Sequence, residues 1–541
     1  MMNNALSSIQ AKLKNGQVEL SSDEYESLNQ ILQNGADMPF SSSGGLVRCR
    51  GMVQDMMDPE YYYQGGEDND LTDLVGQLGE RQPLLLVPMP FASKWTRGAD
   101  DETSDITRKE SKKRERDESL EEEESSKKQS TGSPNATMDF SSSIQSRDNT
   151  SKPWSWPPGY MGSNPKETPV VCQLYYDIHK GPKLRLNDVV EVIGILDPVE
   201  ARAPIEEGQS FLQEDPFFEE EEDLLPSMLP RLHAVCYRKI DLEDLSDTTE
   251  PMEVDQTLKS IFTAALGSET AAEALLLSLY SQAEREMVNA VVDAVAAPVK
   301  TPYDTTLGCA SLNFILPTIE SCNAAATHLQ SLLQEVLPVV GRINLDDKGI
   351  VSPVKMGAHL VPSALQLPKG AMLILVDNRT DESLEASETL DALSTMTKNH
   401  SVPYRFDGGM RFNFEADYRI LVLSAKNPSE LLPCTLTMKL PHQISSRPNV
   451  SQNSALQLRS QLAKGRQSNV VLGHQLLEVA QQDFVDRRQQ ARDLNSKLAG
   501  EDDFHRWLTL TRLCARVEER EDASMEDWKN ALRLDDAMRK V

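Results

Sequence analysis

Two short apolar strands in the middle of the chain constrain its fold more than any other feature. Residues 371–377 read AMLILVD, a buried strand that ends in the carboxylate of Asp377. Residues 419–428 read RILVLSAKNP, a second apolar strand that is followed by the amide of Asn427. Continuous aliphatic runs of this length, bounded by polar residues, are typical of strands that are covered on both faces of an α/β sheet.

The strand pair is typical of P-loop ATPases, in which it holds the metal ion and senses the γ-phosphate. Such enzymes bind the phosphates with a glycine-rich loop that contains a Gly-Lys dipeptide, and none occurs in the 541 residues. Asn378 stands where an active enzyme has the glutamate that polarises water. We therefore expect Asp377 and Asn427 to be structural relics in a protein that is not an enzyme and binds no cofactor. An ATPase with a non-standard phosphate site is the open alternative.

The charge balance argues against strong direct binding to nucleic acid. The 55 basic and 84 acidic residues give a formal net charge of −29, which phosphate backbones repel. The cysteines form no C-x-x-C pair and the histidines no H-x-x-x-H or H-E-x-x-H spacing, so no metal site or disulfide framework is predicted. The sequence shows neither a signal-peptide pattern nor an apolar run of about 18 residues, so an intracellular protein without a membrane span is expected.

Shifts in composition divide the chain into segments. They are an N-terminal segment with a linker (1–45), the two parts of a split OB-like β-barrel (46–96 and 168–240), a disordered insert (97–167), an α/β domain (257–455) and a helical domain (456–541). The insert is rich in Ser, Lys and Glu and cannot bury enough apolar surface to offset its ordering entropy. Gly194 interrupts an alternating strand pattern, which predicts a bend or bulge there.

The disordered insert carries a candidate nuclear localisation signal. Its basic residues are Arg108, Lys109, Lys112, Lys113, Arg114 and Arg116. A solvated charge run without a function is the alternative, and exposure in a disordered segment favours the signal. The cluster therefore predicts a nuclear protein.

An acidic segment at about 198–226 is a candidate partner-binding element. It has 10 acidic residues against one arginine. Phe217 and Phe218 would enter a pocket on the partner, while Glu219 and Glu220 would meet its basic rim. A plain solvated loop explains the same composition equally well.

Four segments resemble the minichromosome-maintenance (MCM) complex-binding protein family. They are RCRGMVQDMMDPEYY (48–62), LVPMP (86–90) followed by Trp95, DVVEVIGIL (188–196) and LVPSALQLP (360–368). The first is the most specific, because DMMDP is not a recurring structural phrase. Family members typically begin with a Trp-containing segment ahead of it, which is not recognisable here.

The resemblance implies a relative of the replicative helicase subunits that is not itself a helicase. It implies a degenerate AAA+-like core that lacks a P-loop. It also implies that a C-terminal helical lid follows this core. Residues 394–414 fall where the helicases have a β-hairpin, Asn427 falls in their sensor position, and His505 falls where their lid has a sensor arginine.

The implied function is that of a nuclear protein that binds subunits of the hexameric MCM helicase. It would regulate helicase assembly or unloading from chromatin during DNA replication, with an indirect association with chromatin and a role in sister chromatid cohesion. The alternative is a replication factor that binds single-stranded DNA through the barrel. That role needs a positive groove, and acidic loops flank the barrel's arginines, Arg48, Arg50, Arg231 and Arg238. A barrel that faces protein is therefore favoured.

Overall fold

A computed structural model describes twelve stretches of the chain. They are residues 46–63, 78–97, 169–175, 182–197, 229–243, 257–282, 309–345, 352–356, 359–377, 388–440, 452–493 and 498–538. Within them the protein is a mixed α/β structure with three β-sheets and eight α-helices. The predicted N-terminal segment, the basic cluster at 108–116 and the acidic segment around Phe217 lie outside these residues. No helix in the described stretches is long and apolar enough to cross a membrane.

The first sheet has six strands that come from both sides of the polar insert. They are β1 (Leu46–Met56), β2 (Glu60–Tyr63), β3 (Leu78–Val87), β4 (Val170–Tyr175), β5 (Val189–Asp197) and β6 (Arg231–Ile240). Their order is β1-β5-β6-β4-β3-β2, and β1 also pairs with β3. The β4–β6 pair is parallel, whereas the other pairs are antiparallel. Alternate side chains of these strands, such as Val53, Leu84 and Val192, form a shared core.

The bulge expected at Gly194 is present. The pairing of β5 with β6 shifts register between Ile193 and Gly194. A Cβ atom on Gly194 would lie 2.4 Å from the carbonyl oxygen of His233, so a larger residue would push the two strands apart.

The second sheet is wholly parallel and is buried on both faces. Its strands are β7 (Leu312–Leu316), β8 (Val340–Asn344), β11 (Met372–Asp377), β14 (Arg419–Ala425) and β15 (Leu436–Lys439). They are ordered β15-β7-β14-β11-β8. Neighbouring residues of β11 face different cores: Ile374 belongs to one and Leu375 to the other. This double burial explains the aliphatic runs in the sequence.

The helices cover the parallel sheet unequally. They are α1 (Leu258–Leu266), α2 (Glu269–Tyr280), α3 (Ile319–Val336), α4 (Glu388–Asn399), α5 (Gln452–Gln467), α6 (His474–Asp493), α7 (Glu501–Val517) and α8 (Met525–Met538). Helices α2 and α3 pack on one face of the sheet, α5 packs on both of these helices, and α7 and α8 pack on α2. The other face is covered by the segment 360–371, α4 and a small sheet.

The small sheet contains the predicted hairpin. Its strands are β9 (Val354–Met356), β10 (His359–Val361), β12 (Ser401–Arg405) and β13 (Arg411–Glu415), ordered β10-β9-β12-β13. Gly408 and Gly409, with φ of 74° and 79°, form the turn between β12 and β13. The bounds predicted for this hairpin, 394–414, are partly wrong, because the first six of these residues belong to α4. The helical period of Leu390, Leu393, Met396 and Thr397 places three of these side chains in the core.

Candidate functional site

The two predicted relic residues lie at the same edge of the parallel sheet. Strands β11 and β14 are parallel neighbours, with Asp377 in register with Ser424. The carboxylate of Asp377 accepts a hydrogen bond of 2.7 Å from the hydroxyl of Ser429. Asn427 follows β14 with its side chain exposed, directly after Lys426, whose φ is 65°. Asp377 and Asn427 therefore lie at one edge of the sheet, with Asp377 engaged by the protein itself.

The connection from β7 to α3 leaves no room for a phosphate-binding loop. Strand β7 lies next to β14, and two residues, Pro317 and Thr318, join it to the helix. Thr318 and Ser321 form a capping box: Ser321 N–H donates to Thr318 Oγ1 (3.2 Å), and Thr318 N–H donates to Ser321 Oγ (3.1 Å). The helix N-terminus is thus satisfied from within the chain.

An acidic residue further disfavours an anion at this helix end. Glu320 lies in the first turn of α3 and is fully exposed. Hydrogen bonds from its own backbone N–H and from Thr318 lower the pKa of Glu320, so the carboxylate is charged at neutral pH. A helix N-terminus attracts phosphate through its dipole, and here a carboxylate already occupies that favourable position.

Other polar groups near the edge are also paired internally. Ser424 Oγ donates to Asn313 Oδ1 over 2.9 Å, and both side chains are buried. Burial raises the pKa of Cys322 to about 11, with a further contribution from the charge of Asp377. The Cys322 thiol is therefore protonated at neutral pH and is a poor nucleophile.

The predicted position of the lid's sensor arginine is occupied by His505. His505 lies on α7 with a partly exposed side chain, and its Nε2 atom is 4.0 Å from Glu501 of the same helix. The neighbouring Arg506 is bound to two carboxylates, with 2.6 Å contacts to Asp503 and Asp535. The helix itself packs against α2, α5 and α8.

The described residues offer no assembled metal-binding or thiol chemistry. Among them, no group of three or more His, Cys, Asp or Glu side chains is arranged to hold a metal ion. Burial raises the pKa of Cys434 and of Cys514 to about 12, which keeps both thiols protonated.

Three of the four arginines considered for a DNA-binding role are engaged by groups of the first sheet and the segment that follows β3. Arg48 Nε donates to Glu191 over 2.7 Å, and Arg238 contacts the other oxygen of Glu191 at 2.7 Å. Burial alone would raise the pKa of Glu191, but the hydrogen bonds and charges of Arg48 and Arg238 lower it. Arg50 donates to the carbonyl of Thr96 over 3.3 Å. The carboxylate of Glu191 reduces the positive charge that Arg48 and Arg238 present to a phosphate backbone.

The resemblance segments 48–62 and 360–368 meet in a buried polar interface. Gln54 of β1 donates from Nε2 to the carbonyl of Leu360 (2.8 Å), and Gln366 donates from Nε2 to the carbonyl of Gln54 (2.8 Å). Asp55 Oδ2 accepts the N–H of Leu360 at 3.0 Å. The most specific part of the resemblance thus fixes the six-stranded sheet to the α/β core.

The segment that contains Trp95 joins the same two units to a C-terminal helix. The indole N–H of Trp95 donates to the carbonyl of Gln334 on α3 over 2.9 Å. The guanidinium of Arg459, from α5, lies 3.9 Å from the centre of the Trp95 ring. Ser93 N–H donates to the carbonyl of Pro338 over 2.8 Å. Trp95 is therefore held by the core on one side and by α5 on the other.

A buried charge cluster, Glu243, Asp417, Arg419 and Arg466, joins the same units at a second place. Arg419 Nη2 contacts Glu243 Oε1 at 2.7 Å, and Arg466 contacts both Glu243 and, at 2.7 Å, Asp417. Burial alone would raise the pKa of Glu243, but the charges of Arg466 and Arg419 lower it to about 2. Sequence reasoning missed this cluster, and an arginine at the head of the apolar strand β14 is the signal that could have revealed it.

A known protein family matches the part of the chain that contains most of the resemblance segments. The family described as "Mini-chromosome maintenance replisome factor" matches residues 63–541. Three of the four resemblance segments lie in that range, and residues 48–62 precede it.

Proteins named "Mini-chromosome maintenance complex-binding protein" are similar over most of their length. The one from Arabidopsis thaliana is 28% identical and covers 91% of this chain and 86% of its own. That from Danio rerio is 23% identical, with 93% and 89% covered, and that from Salmo salar is 23% identical, with 95% and 91% covered. The chain belongs to the mini-chromosome maintenance replisome factor family, which confirms the family expected from the sequence.

Proposed function

We propose that this protein is a non-enzymatic, nuclear binding protein of the hexameric MCM helicase. The observation that carries the proposal is the match to proteins named for binding the MCM complex, which extends over about nine-tenths of this chain. In this role the protein regulates assembly of the helicase or its unloading from chromatin during DNA replication. Its association with chromatin is indirect, and a role in sister chromatid cohesion follows from control of the same helicase.

We further propose that the first sheet is an OB-like barrel and that the parallel sheet is a degenerate AAA+-like core. The pairing of β1 with both β5 and β3 supports a barrel, because it links the first strand of the order to the fifth and so joins five strands in a ring. The adjacency of β7, β14 and β11 supports the core, because it brings the β7–α3 turn, Asn427 and Asp377 to one edge. Helices α5 to α8 correspond to the lid.

The mechanism that fits this architecture is imitation of a helicase subunit. A module with the shape of an ATPase but without phosphate contacts presents the surface that a neighbouring subunit expects, and it contributes no hydrolysis. The contacts of Gln54, Trp95 and Glu243 hold the proposed barrel, core and lid in fixed relation. A partner would therefore meet barrel and core together as one surface.

Affinity purification from nuclear extract tests the proposed partner. We expect the full chain to retain MCM subunits, identified by mass spectrometry, and we expect a variant that lacks residues 97–167 to retain them equally. If the variant without the insert loses the subunits while the insert alone captures them, imitation by the folded module is wrong.

The proposed localisation needs a separate test. Replacement of Lys112, Lys113 and Arg114 by alanine is expected to shift the protein from the nucleus to the cytoplasm while leaving capture of MCM subunits in extract unchanged. Alanine replacement of the separate pair Lys127 and Lys128 is the matched control. Nuclear accumulation of the triple variant would refute the proposed signal.

A further inference from the structure

Strand β13 is an edge strand whose five residues are all exposed. Within the described residues it ends the order β10-β9-β12-β13, with β12 as its neighbour. The strand has no proline, no lysine and no register shift, three of the features that protect an exposed edge from pairing with another strand, and its two charged residues, Arg411 and Glu415, stand at its ends.

The hydrogen-bonding pattern shows which backbone groups point outward. Phe406 N–H donates to the carbonyl of Met410, and Ala416 N–H donates to that of His400, both over 2.9 Å. Since bonded pairs alternate along an antiparallel ladder, Phe412 and Phe414 also direct their backbone groups to β12. Arg411, Asn413 and Glu415 then direct their backbone N–H and carbonyl groups away from the sheet. Pro403, which has no N–H, lies opposite Asn413, as this pattern requires.

One face of β13 carries apolar side chains that adjoin the buried core and are partly exposed to solvent. Phe412 and Phe414 lie opposite the buried residues Tyr404 and Val402 and therefore share their face. The ring of Phe414 is 4.4 Å from that of Tyr404, yet Phe414 is 40% exposed and Phe412 is 54% exposed. Met410, on the same face, is 57% exposed. The protein itself thus covers about half of this apolar surface, and the other half is exposed to solvent.

The order of residues along β13 is self-complementary. Its sequence is Arg-Phe-Asn-Phe-Glu, which is symmetric about Asn413 except that the charges at its two ends have opposite sign. When such a strand pairs antiparallel with a copy of itself around Asn413, each Arg411 lies opposite a Glu415 and each Phe412 opposite a Phe414. Opposite charges and aromatic pairs at facing positions both stabilise a sheet.

We propose that β13 pairs antiparallel with β13 of a second copy of this chain, around a two-fold axis at Asn413. The Asn413 pair and the two Arg411–Glu415 pairs would each exchange two backbone hydrogen bonds, because these are the residues whose backbone groups point outward. The two small sheets become one continuous sheet of eight strands, and the four phenylalanines cover one another. The interface is isologous, and it removes the exposed edge in both copies.

The dimer can be tested with the purified full chain and without any helicase subunit, so its failure is distinguishable from failure of the proposed function. Sedimentation over about 1 to about 100 µM, where weak dimers dissociate, is expected to show the mass rising toward twice the 60.3 kDa of one chain. A constant mass of one chain over this range would overturn the proposal.

Charge-swap variants test whether β13 forms the dimer interface. R411E or E415R alone puts like charges opposite each other twice, because of the symmetry, and is expected to raise the Kd of the dimer by about tenfold or more. The double variant R411E/E415R restores opposite charges and is expected to return the Kd to within about threefold of the wild type. If single and double variants dimerise alike, the interface lies elsewhere and the proposal is wrong.

Two further variants separate the edge from its surroundings. Asn413→Pro removes an outward N–H at the axis without touching the ladder to β12, and is expected to abolish dimerisation. Asp391→Asn removes the 2.6 Å ion pair between Asp391 and Arg411 on the same chain, and should leave the dimer intact. A dimer that survives Asn413→Pro would overturn the proposal. A purified chain that stays monomeric and instead binds a helicase subunit through β13 would overturn it as well.

Discussion

The hydroxyl of Ser429 donates a hydrogen bond of 2.7 Å to the carboxylate of Asp377, at the edge where an ATPase would hold its metal ion. Across the same edge, α3 begins two residues after β7 with a capping box and the charged Glu320. A carboxylate that is engaged by the protein and a helix N-terminus that is already satisfied leave little to attract a metal–phosphate group. In the described residues, both Asp377 and the first turn of α3 are thus engaged by groups of the protein itself.

The first prediction concerns nucleotide binding. We expect Mg-ATP at millimolar concentration to leave the thermal unfolding midpoint unchanged. If ATP did bind, a concentration of 100 times its Kd would stabilise the fold by about 2.7 kcal/mol and raise the midpoint. The measurement is differential scanning fluorimetry, with titration calorimetry as a second readout. A saturable rise in the midpoint that Asp377→Ala abolishes would establish the rival reading, an ATPase with a non-standard phosphate site.

The second prediction concerns the buried charge cluster. Glu243→Gln leaves Arg419 and Arg466 buried with one fewer carboxylate, and is expected to lower the free energy of unfolding by about 3–5 kcal/mol. Its control is Glu269→Gln, which removes an exposed ion pair with Lys259 and should cost about 0–1 kcal/mol. Urea unfolding, followed by circular dichroism, measures both. Equal effects of the two variants would mean that the cluster does not stabilise the fold.

The third prediction concerns pH. Burial lowers the pKa of His400 to about 4, although the charge of Asp417 opposes this effect. In the unfolded chain the residue takes up a proton near pH 6.5, so its contribution to stability is complete above that pH. It is lost as the pH falls through about 4, and it is on the order of 3 kcal/mol.

The variant His400→Asn is expected to weaken this pH dependence. Asparagine tolerates the left-handed backbone of this position, where φ is 48°. The free energy of unfolding is measured between pH 7 and pH 4, with His474→Asn, at an exposed site, as control. An unchanged slope in His400→Asn would show that another group carries the effect.

The fourth prediction concerns the joint between the first sheet and the α/β core. Trp95→Ala removes the hydrogen bond to Gln334 and the contact with Arg459, and is expected to lower the free energy of unfolding by about 2–3 kcal/mol. Trp95→Phe retains a ring under Arg459 and should cost about 1 kcal/mol. Limited proteolysis reports whether the first sheet loosens from the core. Equal protease resistance of wild type and Trp95→Ala would contradict a joint at this residue.

Local patterns predicted the elements that their own residues determine. The aliphatic runs at 371–377 and 419–428 became the buried strands β11 and β14, because burial on both faces leaves a continuous signature. The bulge at Gly194 followed from the absence of a side chain at a close approach of two strands. The hairpin expected at 394–414 came from the resemblance and not from a local pattern, and its first six residues belong to the helix α4.

Long-range polar pairs could not be predicted in this way. Gln54 and Gln366 are 312 residues apart in the chain, and their mutual hydrogen bond is set by how the first sheet packs on the α/β core. The same is true of Glu243, Arg419 and Arg466, whose charges read as ordinary surface residues until the fold buries them. The resemblance marked residues 48–62 as specific, and the structure supplies the physical reason, since Gln54 and Asp55 fasten two units together.

The most direct test of the central claim is a binding measurement between this chain and purified MCM subunits, made with and without Mg-ATP. Analytical size-exclusion chromatography with light scattering reports the complex and its mass. We predict a complex with one or more subunits that forms without nucleotide and is unchanged by Asp377→Ala. Absence of a complex with every subunit, or a complex that requires ATP bound at Asp377, would contradict the account.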